Sequence, residues 1–393
     1  MRKILSQLEA DVVEDAAPKS LEAVRAEIDA IDRELVPLVI RRLRAVRDIA
    51  EAKRATGRAV YDPVREEAIL DAAGEAAGDD FSDEVKTVFR TLFDVAKSRQ
   101  RAQLANTAKA GDLTLAVVGM GLIGGSFYKA ARRAGYATVA LHHGESKGLS
   151  KADVVLVCLP PDVIVPWIRE HAAQFRRGAT VIDICGVKTE ICRALAQLPK
   201  DGWRFVGGHP MAGKEVTGFA NSTADLFLGK SMVLCPPEPQ AGEPALERLF
   251  LSLGFAQVVV TTPAKHDEMI AFTSQLGHVI ASAYAQDPRV AESVGFSAGS
   301  FANMSRIATI DPETWAALYL ADRDALLTVL DGFMERLGAF RRALDAQDAP
   351  ALKAFIAAGA AAKREELDRM RERLTTGLLD QHDENKNKER NQT

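Results

Sequence analysis

Cysteine is scarce in this chain, and so is every feature that would tie it to a membrane or to nucleic acid. Only Cys158, Cys185, Cys192 and Cys235 occur among 393 residues. None stands in a Cys-x-x-Cys pair or at metal-ligand spacing, so no metal site and no disulfide framework is expected. Three lie in apolar strand-like or helical contexts and read as buried thiols of a reducing compartment, the cytoplasm. Cys185 falls in a loop near the expected catalytic centre. No apolar run is long enough to span a bilayer, and Met1–Ser20 lacks the apolar core of a signal peptide. Basic residues do not outnumber acidic ones. The net charge of −4 argues against a nucleic-acid or membrane-surface partner.

What is present is length, and 393 residues exceed one ordinary core and imply several domains. The most informative stretch is Thr114–Gly135, TLAVVGMGLIGGSFYKAARRAG. Leu115–Val118 is an apolar, β-branched run with the length of a strand buried on both faces. Gly119, Gly121 and Gly124 follow at G-x-G-x-x-G spacing, then a helical pattern that stops at Gly135. Gly119 permits the tight turn, Gly121 admits a pyrophosphate, and Gly124 lets helix and strand pack closely. The helix N-terminus then offers free N–H groups to phosphate. The unit reads as a dinucleotide-binding βαβ start, with Leu122, Ile123, His142 and Pro160 as further expected cofactor contacts.

Further strands are predicted at Thr138–His142, Val154–Leu159, Thr180–Ile184, Phe205–Gly207, Ser231–Cys235 and Gln257–Thr261, with helical runs between several of them. The acid that normally holds the adenosine ribose, about twenty residues past the glycines, is missing. His142 and His143 end the second strand instead, with Glu145 just after. They suit a ribose, a 2′-phosphate or a plain surface loop, so NAD and NADP both stay open. Too few residues separate that strand from Ala152 for the usual helix.

Residues 1–19 carry no strong periodicity and read as an extension. From Ser20 one long amphipathic pattern, Leu21, Val24, Ile28, Ile31, Leu35, Leu38 and onward, lasts to Gly57. Pro37 lies inside it and is expected to kink the helix. A helix of that length needs a bundle or a second copy to cover its stripe. A second helix follows Asp62-Pro63, Gly78-Asp79-Asp80 breaks it, and a third runs from about Ser82 to Ala105. Arg42 and Lys53 fall close to a whole number of turns apart and project from one face. Asp62, Arg65 and Glu66 cluster at the start of the second helix, and Gln100 lies on the third. By charge pattern alone these read as a solvated face.

Arg25 in LEAVRAEIDAID, then Arg42, Lys53 and YDPVREEAIL, resembles the all-helical chorismate mutases over residues 20–105. The resemblance implies an intertwined homodimer in which Arg25 reaches the partner's site. It implies that Arg25, Arg42 and Arg65 hold the carboxylates of chorismate. Lys53 and Gln100, or alternatively Gln103, would donate to the breaking ether oxygen, and Asp62 and Glu66 would hold the ring hydroxyl. The rearrangement to prephenate is pericyclic, so conformational restriction and charge stabilisation at that oxygen suffice.

Gly207-Gly208-His209-Pro210-Met211-Ala212-Gly213-Lys214-Glu215 resembles the histidine motif of prephenate and arogenate dehydrogenases. Asp183–Lys188, Lys265–His278, Phe301–Ala308 and Asp311–Trp315 extend that likeness over residues 113–375. The chain as a whole looks like the bifunctional chorismate mutase–prephenate dehydrogenases of tyrosine synthesis. The likeness implies that His209 takes the proton of the C4 hydroxyl as hydride leaves for NAD or NADP. Arg306 would clamp the ring carboxylate, with Ser274, His278 and Glu215 lining the pocket and Lys188 close by. Gly186 stands where many relatives carry a serine beside the histidine, so the bond orienting His209 is expected from backbone or water.

The predicted fold class is therefore multidomain: an extension (1–19), an all-α chorismate mutase domain (20–108), a Rossmann-like α/β domain (113–262), an all-α dimerisation and substrate domain (263–378), and a disordered tail (379–393). No regulatory domain is expected to follow, so any feedback by tyrosine acts on the catalytic halves. The competing readings are a prephenate or arogenate dehydrogenase whose front end only dimerises, and a non-enzymatic helical module fused to a cofactor domain.

Overall fold

The structure is a computed structural model and describes residues 20–56, 63–105, 112–142, 144–198, 202–214, 216–296 and 299–390. The chain folds as two compact units, Met1–Ala52 and Lys53–Thr393. Helix α1 (Leu21–Thr56) is continuous through Pro37. Leu21, Ile28, Ile31, Leu35 and Leu38 along it are exposed apolar side chains. With the exposed Val24 between the first two, their spacings alternate between three and four residues, the pattern of a seam that packs on another helix.

Helices α2 (Pro63–Ala77) and α3 (Ser82–Ala105) pack on each other as a hairpin. Pro63 is the first helical residue, as its fixed φ favours. Gly78 takes a positive φ of 72° and ends α2.

The α/β part follows as β1 (Thr114–Val118), α4 (Leu122–Arg133), β2 (Ala137–Leu141), β3 (Val154–Val157), α5 (Pro161–His171), β4 (Thr180–Asp183), α6 (Thr189–Ala196), β5 (Arg204–Pro210), β6 (Ser231–Cys235), α7 (Pro244–Ser252) and β7 (Gln257–Val260). They form one seven-stranded sheet in the order β2-β1-β3-β4-β5-β6-β7. Every neighbouring pair is parallel except β5 with β6. The link from β5 to β6 carries no crossover helix, and strands joined that way can run antiparallel. A single 3₁₀ turn, Leu149–Lys151, replaces the usual helix between β2 and β3.

Successive residues of β1 serve opposite layers, as strand geometry requires. Leu115 and Val117 join Phe127, Phe227, Phe250 and Phe255 under α4 and α7. Ala116 and Val118 join Ile164, Trp167, Ile191 and Trp203 under α5 and α6. Between β1 and β3 the strand order reverses, and the crevice at their carboxyl ends is where such sheets bind ligands.

The remainder is helical: α8 (Pro263–Ile270), a π-helical turn Ala271–Gln275, α9 (Leu276–Ala285), α10 (Gly299–Ser305), α11 (Pro312–Ala321), α12 (Arg323–Asp345) and α13 (Ala349–Arg390). Residues 379–390, expected as disordered tail, belong to α13. Beyond Gly377 the sequence holds no proline or glycine, and its Glu, Lys, Gln and Arg are good helix formers, so nothing local stops the helix. No helix among the described residues is long and apolar enough to cross a membrane. The cysteines are free, with Cys185 and Cys235 buried. Cys158 and Cys192, expected to be buried, are only half-buried; Cys158 lies just past the end of β3, and Cys192 is within α6.

Candidate active site

Gly119 has φ +88°, a conformation costly for any residue with a Cβ, and its N–H donates to the Leu141 carbonyl at 2.9 Å. A Cβ on Gly124 would collide with the Gly119 carbonyl oxygen, so α4 rests directly on the turn. At Gly121 a Cβ would meet nothing within 4 Å. That opening faces the start of α4, whose first-turn N–H groups have no side-chain cap. The turn thus fits a pyrophosphate. Leu122 is buried beneath it, Ile123 is half-buried, and Pro160 is the exposed N-cap of α5. His142 is exposed, and its backbone N–H donates to the Glu145 carboxylate at 2.8 Å. An acid does therefore stand at the end of β2, carried by the turn after the strand.

His209 is the penultimate residue of β5, at the same end of the sheet. The strand can lie this close to its neighbour because Gly208 has no side chain: a Cβ there would meet Ile182 Cγ2 at 2.6 Å and the Asp183 carbonyl at 2.7 Å. His209 Nδ1 lies 2.9 Å from Nε2 of His266, and His266 Nδ1 lies 2.7 Å from Oδ1 of Asp267. The carboxylate can only accept, so His266 carries its proton on Nδ1 and turns a bare Nε2 to His209. His209 then donates from Nδ1 and keeps a lone pair on Nε2. The bond that orients His209 comes from a histidine, not from backbone or water as the sequence had suggested. A Cβ on Gly186 would lie 3.8 Å from His209 Nε2 and 3.6 Å from Leu318, so the lone pair looks into the space left by that missing side chain.

Asp267 also accepts the backbone N–H groups of Lys188 at 2.8 Å and Thr189 at 2.7 Å. Burial raises its proton affinity, but these bonds and that from His266 outweigh it and hold the carboxyl below its ordinary range. Burial holds His209 well below the ordinary histidine range, with His266 and the Lys188 ammonium adding to the effect. His209 is therefore neutral at pH 7. Neither His266 nor Asp267 was singled out in advance. They sit inside the motif Lys265–His278, but only the fold brings that helix against β5.

Lys188 is fully buried and ion-paired with the equally buried Asp183. Asp183 also accepts Cys185 N–H at 3.0 Å and Gly208 N–H at 3.3 Å. Burial disfavours the Lys188 charge, but Asp183 more than restores it. The ammonium is thus committed to Asp183 and shapes the loop under His209.

Ser274 is half-buried in the π-helical turn, an irregularity common at functional sites. His278 donates from Nδ1 to the Ile307 carbonyl at 2.8 Å and its ring lies 4.0 Å from that of Trp315. That bond ties the turn beginning at Arg306, whose side chain is exposed, to the same wall. Glu215 lies outside the described residues.

Of the front constellation, Asp62 and the side chain of Lys53 lie outside the described residues. Arg25 is exposed, and Arg42 is half-buried, which lowers its proton affinity. Arg65 is exposed, and Glu66 pairs with Lys97 at 3.1 Å. Gln100, three residues on from Lys97 along α3, is buried, and its Oε1 has no partner among the described residues. Lys97 was not anticipated, although its i, i+3 spacing to Gln100 places both on one face.

Residues 24–101 match the family model of type II chorismate mutases. Residues 122–268 match the nucleotide-binding domain of prephenate dehydrogenases, and 262–358 match their dimerization domain. A T-protein of Enterobacter agglomerans is 24% identical over 86% of this chain and 90% of its own. A cyclohexadienyl dehydrogenase of Zymomonas mobilis is 28% identical over 60% of this chain and 89% of its own. The fold is also that of an A. aeolicus prephenate dehydrogenase solved with hydroxyphenyl propionate and NAD+, at TM-score 0.55 and 23% identity over 65% of this chain and 98% of that one.

Proposed function

The chain belongs to the family in which a type II chorismate mutase precedes a prephenate dehydrogenase, and we propose on that premise how its residues divide the work of the two reactions. It is a bifunctional enzyme of tyrosine synthesis, converting chorismate to prephenate and prephenate to 4-hydroxyphenylpyruvate. The observation that supports the second step most directly is the chain His209–His266–Asp267 at the same end of the sheet as the glycine turn.

In the first reaction Arg25, Arg42 and Arg65 hold the two carboxylates in the compact conformer. Lys53 and Gln100 donate to the ether oxygen as its C–O bond breaks, and Glu66 is kept in place by Lys97. The buried Oε1 of Gln100, unpartnered among the described residues, can accept from a ligand hydroxyl while its Nε2 donates to the ether oxygen. In the second, His209 Nε2 takes the proton of the C4 hydroxyl while the C4 hydride departs. The ring carboxylate then leaves as CO₂, its C–C bonding electrons complete the aromatic ring, and the resulting phenolate oxygen takes the proton back from His209. His266 and Asp267 hold the His209 ring, and the Asp267 carboxylate favours the imidazolium that forms. The glycine turn and Glu145 would hold NAD+, which would supply the hydride acceptor.

Arg306 clamps the ring carboxylate, and Ser274, His278 and Glu215 line the pocket around it. Arg306→Lys keeps the charge but loses the planar fork. It should raise KM for prephenate by roughly 10–100-fold, as expected for loss of one charge-assisted hydrogen bond of about 1.5–3 kcal/mol. Steady-state kinetics with varied prephenate checks this, and an unchanged KM would remove Arg306 from the site.

The bare seam of α1 and the dimerization-domain match support a homodimer, and the free thiols support a cytoplasmic location. Tyrosine as a feedback inhibitor belongs to the same reading and is tested by adding it to both assays. The decisive experiment gives purified protein chorismate alone, with NAD+ or NADP+, and follows nicotinamide reduction. Reduction from chorismate supports both activities in one chain. Reduction from added prephenate only would leave a dehydrogenase with a silent helical front, and reduction from arogenate only would change the second substrate.

A further inference from the structure

Asp322 joins α11 to α12 and is 5% exposed. An aspartate at a helix start normally spends its carboxylate on the first-turn N–H groups. Asp311 does so at the head of α11, accepting Thr314 N–H at 2.8 Å. Asp322 makes no such cap. Its neighbours are instead Gln275, the last residue of the π-helical turn, and the charge of Asp267. Two buried atoms are left without partners there: Oδ2 of Asp322 and Oε1 of Gln275. Both are acceptors while Asp322 is ionised.

One proton resolves both. Placed on Asp322 Oδ2, it donates to Gln275 Oε1 while the Gln275 amide donates back to the carboxyl, closing a cyclic acid–amide pair. Asp267 cannot take that proton with equal ease, because backbone N–H groups and His266 already stabilise its anion. Two facing carboxylates with unequal donors divide into one anion and one acid.

We propose that Asp322 is a protonated positioning residue whose pair with Gln275 pins the turn between the His266–Asp267 dyad and the pocket wall of Ser274 and His278. This rests on the dehydrogenase reading for its effect on catalysis, but not for its effect on stability. Ionising Asp322 removes the donor to Gln275 and sets a second negative charge opposite Asp267. The turn loosens and an anionic substrate is disfavoured, so the effect falls on KM rather than kcat. From α8 the titratable group facing Asp322 is Asp267. The π-helical turn contributes Gln275, which does not titrate, and the adjacent Arg323 is paired with Asp324.

The test compares wild type, Asp322→Asn and Asp322→Ala. Burial, with Asp267 adding to it, pushes the Asp322 carboxyl up to about 7 from 3.8. Between those values the folded state keeps a proton the unfolded state has lost, so stability falls as pH rises and levels off above the upper value. Asn keeps the pair and cannot ionise. Asp322→Asn should therefore melt above wild type at pH 8, with the gap closing as the pH falls through about 7 towards 4. In kinetics, KM for prephenate of wild type should rise several-fold as pH rises through about 7, a rise absent in Asp322→Asn, while Asp322→Ala has a raised KM at every pH. A wild-type inflection that persists in Asp322→Asn, or a melting gap that does not depend on pH, would overturn the proposal. If wild type reduced no cofactor from prephenate while the melting gap followed pH as expected, the dehydrogenase reading would fail and the buried acid would stand.

Discussion

His209→Asn should lower kcat of the dehydrogenase by roughly 10²–10⁴-fold, the usual contribution of a positioned general base, while chorismate is consumed at the wild-type rate. Asparagine can still donate to His266 from its amide, so the chain of hydrogen bonds and the fold of β5 are kept. What it lacks is a lone pair of useful basicity at the position of Nε2. A matching pH effect follows from the same histidine. Burial, His266 and Lys188 hold its proton affinity well below the ordinary range. The base is therefore lost only as pH falls below about 6.5, the unperturbed histidine value, and acid inactivation of the dehydrogenase should begin on the acid side of that value. Single-turnover hydride transfer measured from pH 5 upward checks both statements. A wild-type rate in His209→Asn would exclude His209 as the base.

Lys53→Ala should abolish the mutase and spare the dehydrogenase. Removing one preorganised donor from a site where charge develops costs roughly 10²–10³ in kcat, and the pericyclic step has no proton transfer through which another residue could compensate. The measurement is loss of chorismate beside reduction of NAD+ from added prephenate, in one folded preparation. If the variant lost both activities while keeping its melting temperature, separate sites for the two reactions would be untenable.

Together the two variants test the bifunctional reading from opposite ends. His209→Asn should accumulate prephenate from chorismate, and Lys53→Ala should accept prephenate and ignore chorismate. Equal amounts of the two should restore reduction from chorismate, because prephenate released by one can be taken up by the other.

Much of this was legible in the amino-acid order because the signals are local. A β-branched run, glycines at fixed spacing and a helix can only make a strand, a tight turn and an open N-terminus, whatever surrounds them. The period of α1, its polar positions and the proline that begins α2 are likewise properties of single helices. His209 and Arg306 could be named because each sits in a contiguous motif. The antiparallel β6 and the extension of α13 to Arg390 were not legible, since the first depends on pairing between distant segments and the second on the mere absence of a breaker.

What only the tertiary structure decided is which residues support the named ones. His266 is 57 positions from His209, and no periodicity links them; β5 and α8 meet because the helical part folds back over the carboxyl end of the sheet. That meeting supplies the hydrogen bond Gly186 cannot make and makes Asp267 the charge neighbour of Asp322. Each is a matter of charge and hydrogen bonding in a place water cannot reach, where a partner's distance decides a group's protonation state and sequence separation decides nothing.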